Sequence, residues 1–333
     1  MCIRDRLVAL GLAMVIMAIL SPFLGKMVSF NASVKTETNL QVLGMAVEEW
    51  YDQNAWDIDI IQNSNLPLPN DNRMSNNTTT LTNNGWSQLA LRYTSSQNSI
   101  YDGNNHAFRI FVSNRLEQPY QGILIPYHII AIVSGNGKGV DPQGGSIIES
   151  TFNASTGELN LAETESAYIV SGYDIQKTNF DLSKIKLENI AKAYEDFYWS
   201  RYSSQGREPA INYFGRNGNS PRWDMDSNIE AVCSNSSDTL PGGRRALGSD
   251  IERSGLVEEF QLPEYAAKSE WGRSFRLLNC GSTNNVLVNG NSTNFSTRTP
   301  ESGNGRNIPP YTATLGFSLP NSETFTTTIT SKF

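Results

Sequence analysis

The chain has 333 residues and carries a net charge of −7, with only 18% of its residues charged. No block of Lys and Arg is long enough to track a phosphate backbone, which excludes nucleic acid as the expected partner. Three cysteines and two histidines among many Asn, Ser, Thr and Gly suit a loop-rich, strand-rich protein outside the cytoplasm and argue against a metal enzyme.

The first element is the apolar run Leu7–Gly25, 19 residues without a charge. As a helix it would be about 28 Å long, close to the hydrocarbon thickness of a bilayer. It is longer than a secretory signal core, and no small-x-small cleavage site follows it. Arg4 and Arg6 precede it and Lys26 follows, so the positive-inside rule places the bulk of the chain outside. The apolar pattern then continues through Met27, Phe30 and Val34. After "KTETN" it resumes at Leu40, Leu43, Val47 and Trp50, spaced by three and four. The spacing predicts one transmembrane and amphipathic helix over residues 1–54, with Leu40, Leu43, Val47 and Trp50 as the face that meets the rest of the protein. Pro22 removes a backbone donor and is expected to kink it.

The two prolines of "LPLPN" end this region. "AFRIFV" (107–112) alternates like a half-buried strand, and "GILIPYHIIAIVS" (122–134) reads as a buried strand or strand pair with a bulge or turn at Pro126. "ESAYIVSGYDI" (165–175) is a further strand. A second amphipathic helix is predicted over 181–202, with Leu187, Ile190, Tyr194 and Phe197 on its core face. "YTATLGFSLP" and "ETFTTTITS" close the chain as an antiparallel pair.

Two internal matches stand out. "LQVLGMAVEEWY" (40–51) parallels "LENIAKAYEDFY" (187–198), and "HAFRIF" (106–111) parallels "RSFRLL" (273–278). They point to a tandem arrangement: a helix at 1–54, a β-rich module at 55–180, and a second helix with its own β-rich module at 181–333. One large irregular α+β domain is the alternative.

No constellation for chemistry emerges. His106 and His128 are isolated in strand-like segments. "SGNGKG" lacks the spacing of a phosphate loop. Asp57 with Asp59, and Asp224 with Asp226, have the Asp-x-Asp form that can serve calcium but that is also common in solvated turns. The chain is therefore not expected to be an enzyme or to carry a cofactor. Cys233 and Cys280, the two cysteines beyond the first helix, are the candidate disulfide pair if the domain is exported.

The region 7–54, with "LVALGLAMVIMAILSP", its amphipathic continuation and Pro22, resembles the first helix of type IV pilins and of type II secretion pseudopilins. The Trp271-Gly272 turn before "RSF" is similar to an aromatic-glycine turn in many pseudopilins. The resemblance implies an α+β fold with a long N-terminal helix and antiparallel-sheet heads, and a disulfide that pins a C-terminal loop. It implies a minor structural subunit that waits in the bacterial inner membrane. The subunit then joins other pilin or pseudopilin subunits through this helix in a pilus or related filament and displays its head, of unknown ligand, for adhesion. A pseudopilin and an anchored periplasmic binding domain or enzyme are the alternatives. The chain departs from the family at its start: "MCIRDR" stands where Gly and a Phe-Thr-Leu-Ile-Glu-like run are expected, so no peptidase site is placed.

Overall fold

The computed structural model describes residues 3–67, 78–80, 89–90, 92–94, 100–140, 145–204, 207, 239–240, 244–245, 249–250, 261–277, 286–288, 291–293 and 312–330; for 3–25 and several short strands this holds of the backbone alone. Helix α1 spans Ile3–Asp59. Strands β1 (Thr78–Thr80), β2 (Arg109–Val112), β3 (Leu116–Tyr120), β4 (Ile123–Tyr127), β5 (Ile129–Ser134), β6 (Thr151–Asn153), β7 (Glu158–Asn160) and β8 (Ser166–Ser171) follow. Helix α2 (Gly172–Ser204) comes next. After it come β9 (Thr239–Leu240), β10 (Arg244–Arg245), β11 (Ser249–Asp250), β12 (Arg276–Leu277), β13 (Val286–Val288), β14 (Asn291–Thr293), β15 (Thr312–Ser318) and β16 (Thr324–Thr330). The fold is mixed α and β, and its paired strands are antiparallel.

This corrects the expectation of a membrane-crossing first helix. Among the described residues no helix is long and apolar enough to cross a membrane. From Lys26 onward α1 carries Lys35, Glu37, Glu48, Glu49, Asp52 and Asp57, charges that hydrocarbon would not accept unpaired. The side chains of Leu7–Gly25 lie outside the described residues. Pro22 is inside the helix, and the residue whose backbone leaves helical values is Asn54 (φ −123°, ψ 19°). Asn54 Nδ2 donates to the Trp50 carbonyl at 2.8 Å, and one more turn carries the helix to Asp59.

The chain divides into two compact units, Met1–Gln118 with Pro126–Ile175, and Pro119–Ile125 with Gln176–Phe333. In the first, a four-stranded sheet has the order β1-β2-β5-β8. Leu40, Leu43, Val47, Trp50 and Tyr51 of α1 are buried, as are Ile110, Ile130, Ile132 and Val170 of the sheet. Each large apolar side chain so buried contributes about 1.5–3 kcal/mol. At Gly44 the helix lies against the Tyr168 ring of β8 so closely that a Cβ there would clash with it. In the second unit a four-stranded sheet has the order β11-β12-β15-β16. Leu187, Ile190, Tyr194 and Tyr198 of α2 are fully or almost fully buried, whereas Phe197 is half-buried. The helix begins nine residues before the predicted 181. Its first turns read as polar, yet Gln176 and Phe180 are fully buried.

The two units repeat one local device. In the first, Thr36 Oγ1 donates to the Ala32 carbonyl (2.9 Å) and accepts from the Gly103 N–H (2.9 Å). In the second, Ser183 Oγ donates to the Asn179 carbonyl (2.6 Å) and accepts from the Glu270 N–H (2.9 Å). The loops that supply those N–H groups match bond for bond. Asp102 N donates to the His106 carbonyl, Asn105 N to the Asp102 carbonyl and Phe108 N to the Ile100 carbonyl. The counterparts are Ser269 N to Arg273, Gly272 N to Ser269 and Phe275 N to Ala267. Every loop pair is 167 residues apart and every helix pair 147. Asn105 and Gly272 share a positive φ, 64° and 69°. In both units a buried hydroxyl on a helix thus clasps the turn that leads into the second strand of the sheet.

Candidate functional site

The chemistry-bearing groups of the first unit gather at the end of α1. His128, between β4 and β5, places Nδ1 2.6 Å from Asp59 Oδ1 and Nε2 3.3 Å from the Asn63 carbonyl oxygen. The Tyr51 hydroxyl donates to the Asp59 carboxylate at 2.7 Å and accepts from the His128 backbone N–H at 2.8 Å. Burial, then the adjacent Asp59 carboxylate, pushes the Tyr51 phenol well above its usual range, so it remains a donor. Gly172 N donates to the His128 carbonyl, which ties the start of α2 to the same point.

A Tyr–Asp–His cluster invites a catalytic reading. That reading needs a nucleophile in reach and a route for substrate. Tyr51, Asp59 and His128 are all completely buried, and the contacts of the Tyr hydroxyl and the imidazole are spent within the cluster. The arrangement can join the helix end to the sheet; it presents no reacting atom. Asp59 is therefore not in a solvated Asp-x-Asp turn, while Asp57 beside it is exposed. Asp224 and Asp226 lie outside the described residues.

Two further buried carboxylates act in the same way. Asp102 Oδ1 accepts from the Asn104 and His106 N–H groups, and Oδ2 from the Ser134 hydroxyl at 3.2 Å. His106 Nδ1 stands 3.9 Å from Asp102. Glu165 accepts from the Ser150 hydroxyl, from the Glu149 and Ser150 N–H groups and from Lys138 Nζ at 3.2 Å. Burial alone would raise its pKa. The Ser150 hydroxyl, the two backbone donors and Lys138 outweigh that and hold it below its ordinary 4.5. A depressed carboxyl stabilises the fold fully above about pH 4.5, and the gain is lost as pH falls through the lower folded value. Glu165→Gln is expected to flatten the fall in stability below pH 4.5, measured as urea midpoints from pH 6 to pH 3. Parallel curves for the two proteins would overturn this.

Among the described residues no group of three or more His, Cys, Asp or Glu is placed to hold a metal ion. Cys233 and Cys280 lie outside the described residues.

What α1 does offer is surface. From Lys26 to Lys35 every side chain but Ala32 is exposed. Met27 is 57% exposed, Phe30 68% and Val34 46%. With Met45 they form a stripe opposite the buried face of Thr36, Leu40, Leu43 and Val47, at helical spacing. In sequence Met27, Phe30 and Val34 read as one apolar pattern with Leu40, Leu43, Val47 and Trp50. The structure separates them into an outward and an inward stripe, set apart by the half-turn between Val34 and Thr36. No family model, curated protein or solved structure matches the chain.

Proposed function

We propose that the protein is a structural subunit of an extracellular filament, of the kind that type IV pilins and pseudopilins form, and that α1 is its assembly element. One observation carries this reading. α1 runs for 57 residues with a break in helical geometry at Asn54; one face of its second half is buried in its own unit, while residues 26–35 expose Met27, Val28, Phe30 and Val34. A helix that exposes large apolar side chains on consecutive turns gains free energy by packing against other chains, at about 25 cal/mol per Å² of apolar surface covered. The run Leu7–Gly25, apolar in sequence, extends the same element. The buried clusters of the first unit fit a display role, since they fix a scaffold and spend their polar groups internally.

Shearing surface filaments from cells that make the protein, washing them and identifying their proteins by mass spectrometry tests the reading. The protein is expected in the filament fraction. Its absence there, with full recovery in the cell body, would overturn it.

A further inference from the structure

The repeated clasp allows one helix to be read against the other. Thr36 corresponds to Ser183, so Phe30, Val34 and Glu37 of α1 correspond to Lys177, Asp181 and Lys184 of α2. On α2 these three side chains are half-buried. The tip of the β3–β4 hairpin, Pro119–Ile125, belongs to the second unit and meets them. Tyr120 donates to the Asp181 carboxylate at 2.9 and 3.1 Å, and its ring lies 5.1 Å from Lys177 Nζ. Gln121 Nε2 donates to Asp181 at 3.2 Å, and Lys184 Nζ donates to Gln121 Oε1 at 2.7 Å. The far side of the tip is held as well: the Leu124 N–H donates to Glu323 Oε2 at 2.7 Å, and the Leu124 carbonyl accepts from Asn321 Nδ2 at 2.9 Å. On α1 the equivalent Phe30, Val34 and Glu37 are exposed.

The two faces differ in chemistry at matching positions. α2 offers two cations and a carboxylate, and the hairpin answers with a phenol and an amide. α1 offers Phe30 and Val34, with Met27 and Val28 just before them, all exposed, and then the Glu37 carboxylate. A hairpin seated there in the same way meets apolar carbon where Tyr120 meets Lys177 and Asp181. It meets a negative charge where Gln121 meets Lys184. The complementary tip therefore carries an apolar side chain at the first place, which takes the stripe out of water, and Lys or Arg at the second. A long polar side chain fits that second place: Gln121 holds it with φ 48°, ahead of Gly122 with φ 84°, the left-handed pair of a tight hairpin turn. Among the described hairpin turns of this chain none has such a tip. The β3–β4 tip is spent on α2, the β6–β7 turn reads Ala154-Ser155-Thr156-Gly157, and the β15–β16 turn gives Asn321 and Glu323 to Leu124.

We propose that residues 27–37 of α1 are the docking face for a β-hairpin of a different subunit in the filament. An apolar side chain of its tip sits against Phe30 and Val34, and a Lys or Arg at its turn faces Glu37, as Tyr120 and Gln121 sit on α2. The partner's place in a filament rests on the function proposed above; the shape of the contact rests on the clasp shared by α1 and α2. What covers the exposed stripe is thus a hairpin tip rather than a second helix.

The test uses the full chain with p-benzoylphenylalanine in place of Phe30. The probe is a peptide of residues 116–127, closed by a disulfide between added terminal cysteines and carrying Tyr120→Leu and Gln121→Lys. Irradiation is expected to join the probe to α1, and Val34→Asp, at an exposed helix position, is expected to cut the adduct at least tenfold. A second probe with Tyr120→Leu and Gln121→Glu is expected to label at least threefold less than the first. Glu37→Lys, at another exposed position, is expected to reverse the order of the two probes. Labelling no stronger than that of a linear peptide of the same composition in scrambled order, or an order of probes that Glu37→Lys leaves unchanged, would overturn the docking. Two differently tagged copies irradiated without a probe are expected to give no adduct with each other; such an adduct would assign the face to a second copy and overturn the choice of a different subunit. The probe experiment needs no filament, so its failure leaves the sheared-filament result standing, and absence from the filament fraction leaves the probe result standing.

Discussion

His128→Ala is expected to lower the unfolding free energy by about 3 kcal/mol, because it leaves a buried carboxylate short of a hydrogen-bond partner. The imidazole stands 2.6 Å from Asp59 with both side chains out of water. Without it the Asp59 carboxylate keeps the Tyr51 hydroxyl but loses its closest partner, and a buried charge short of partners is costly. The ring also fills space against the end of α1, so a cavity adds to the loss. The double variant Asp59→Leu, His128→Leu separates the two effects. Replacing both partners of a buried hydrogen bond with apolar groups of similar shape can be nearly neutral, so the double variant is expected to lose less than His128→Ala alone. Urea unfolding followed by tryptophan fluorescence measures both, since Trp50 is buried beside Tyr51 in the same helix. A loss below about 1 kcal/mol for His128→Ala would mean that water reaches Asp59 and that the cluster does not hold the helix to the sheet.

That cluster was invisible in the sequence for a physical reason. Asp59 and His128 are 69 residues apart, and no local period relates a helix end to a strand start. Polar residues at core positions hid other boundaries too. α2 starts inside "ESAYIVSGYDI", which reads as a strand as far as Ile175. Its buried face nevertheless runs back through Phe180 to Gln176, whose side-chain oxygen accepts from Trp271 Nε1 at 2.7 Å. The α1 boundary at 54 missed Ala55 and Ile58, both buried, since "WDIDI" shows acids between its apolar residues. What was legible rests on periods that burial imposes directly: Leu40, Leu43, Val47 and Trp50 at helical spacing, and the run "IIAIVS" in β5, buried after its first residue. The internal matches were legible as letters, at Leu40–Tyr51 with Leu187–Tyr198 and at "AFRIF" with "SFRLL". Their meaning came from hydrogen bonds made by Thr36 and Ser183, two residues outside the matched stretches. The membrane expectation for α1 rested on residues 7–25 alone, and the described helix beyond them is amphipathic and charged.

Phe317→Ala is expected to cost the second unit about 3–5 kcal/mol, as large-to-small changes of buried aromatics do. Phe317 sits in β15, almost completely buried, and four rings surround it. Their centroids lie 5.6 Å away at Phe325, 5.7 Å at Phe275, 5.9 Å at Phe180 and 6.0 Å at Trp271. Those rings come from β16, from the clasp turn before β12 and from α2, so one side chain joins every layer of the unit. Tilted and edge-on pairs at these separations add about 0.5–1.5 kcal/mol each beyond area burial. The hole left by the ring is bounded by large rigid groups that cannot collapse into it, which favours the upper part of the range. Phe317→Leu keeps most of the volume and loses the ring contacts, so it is expected to fall between wild type and Phe317→Ala. Hydrogen exchange locates the effect. Lost protection is expected on the amides of β15 and β16, whose seven-residue pairing runs from Thr312–Thr330 to Ser318–Thr324, and on the buried turns of α2 around Phe180 and Leu187. Unchanged protection at β15 and β16 in Phe317→Ala would show that the sheet of the second unit holds without its aromatic centre, and that the helix is kept in place by the Ser183 clasp and the aliphatic face of Leu187 and Ile190 instead.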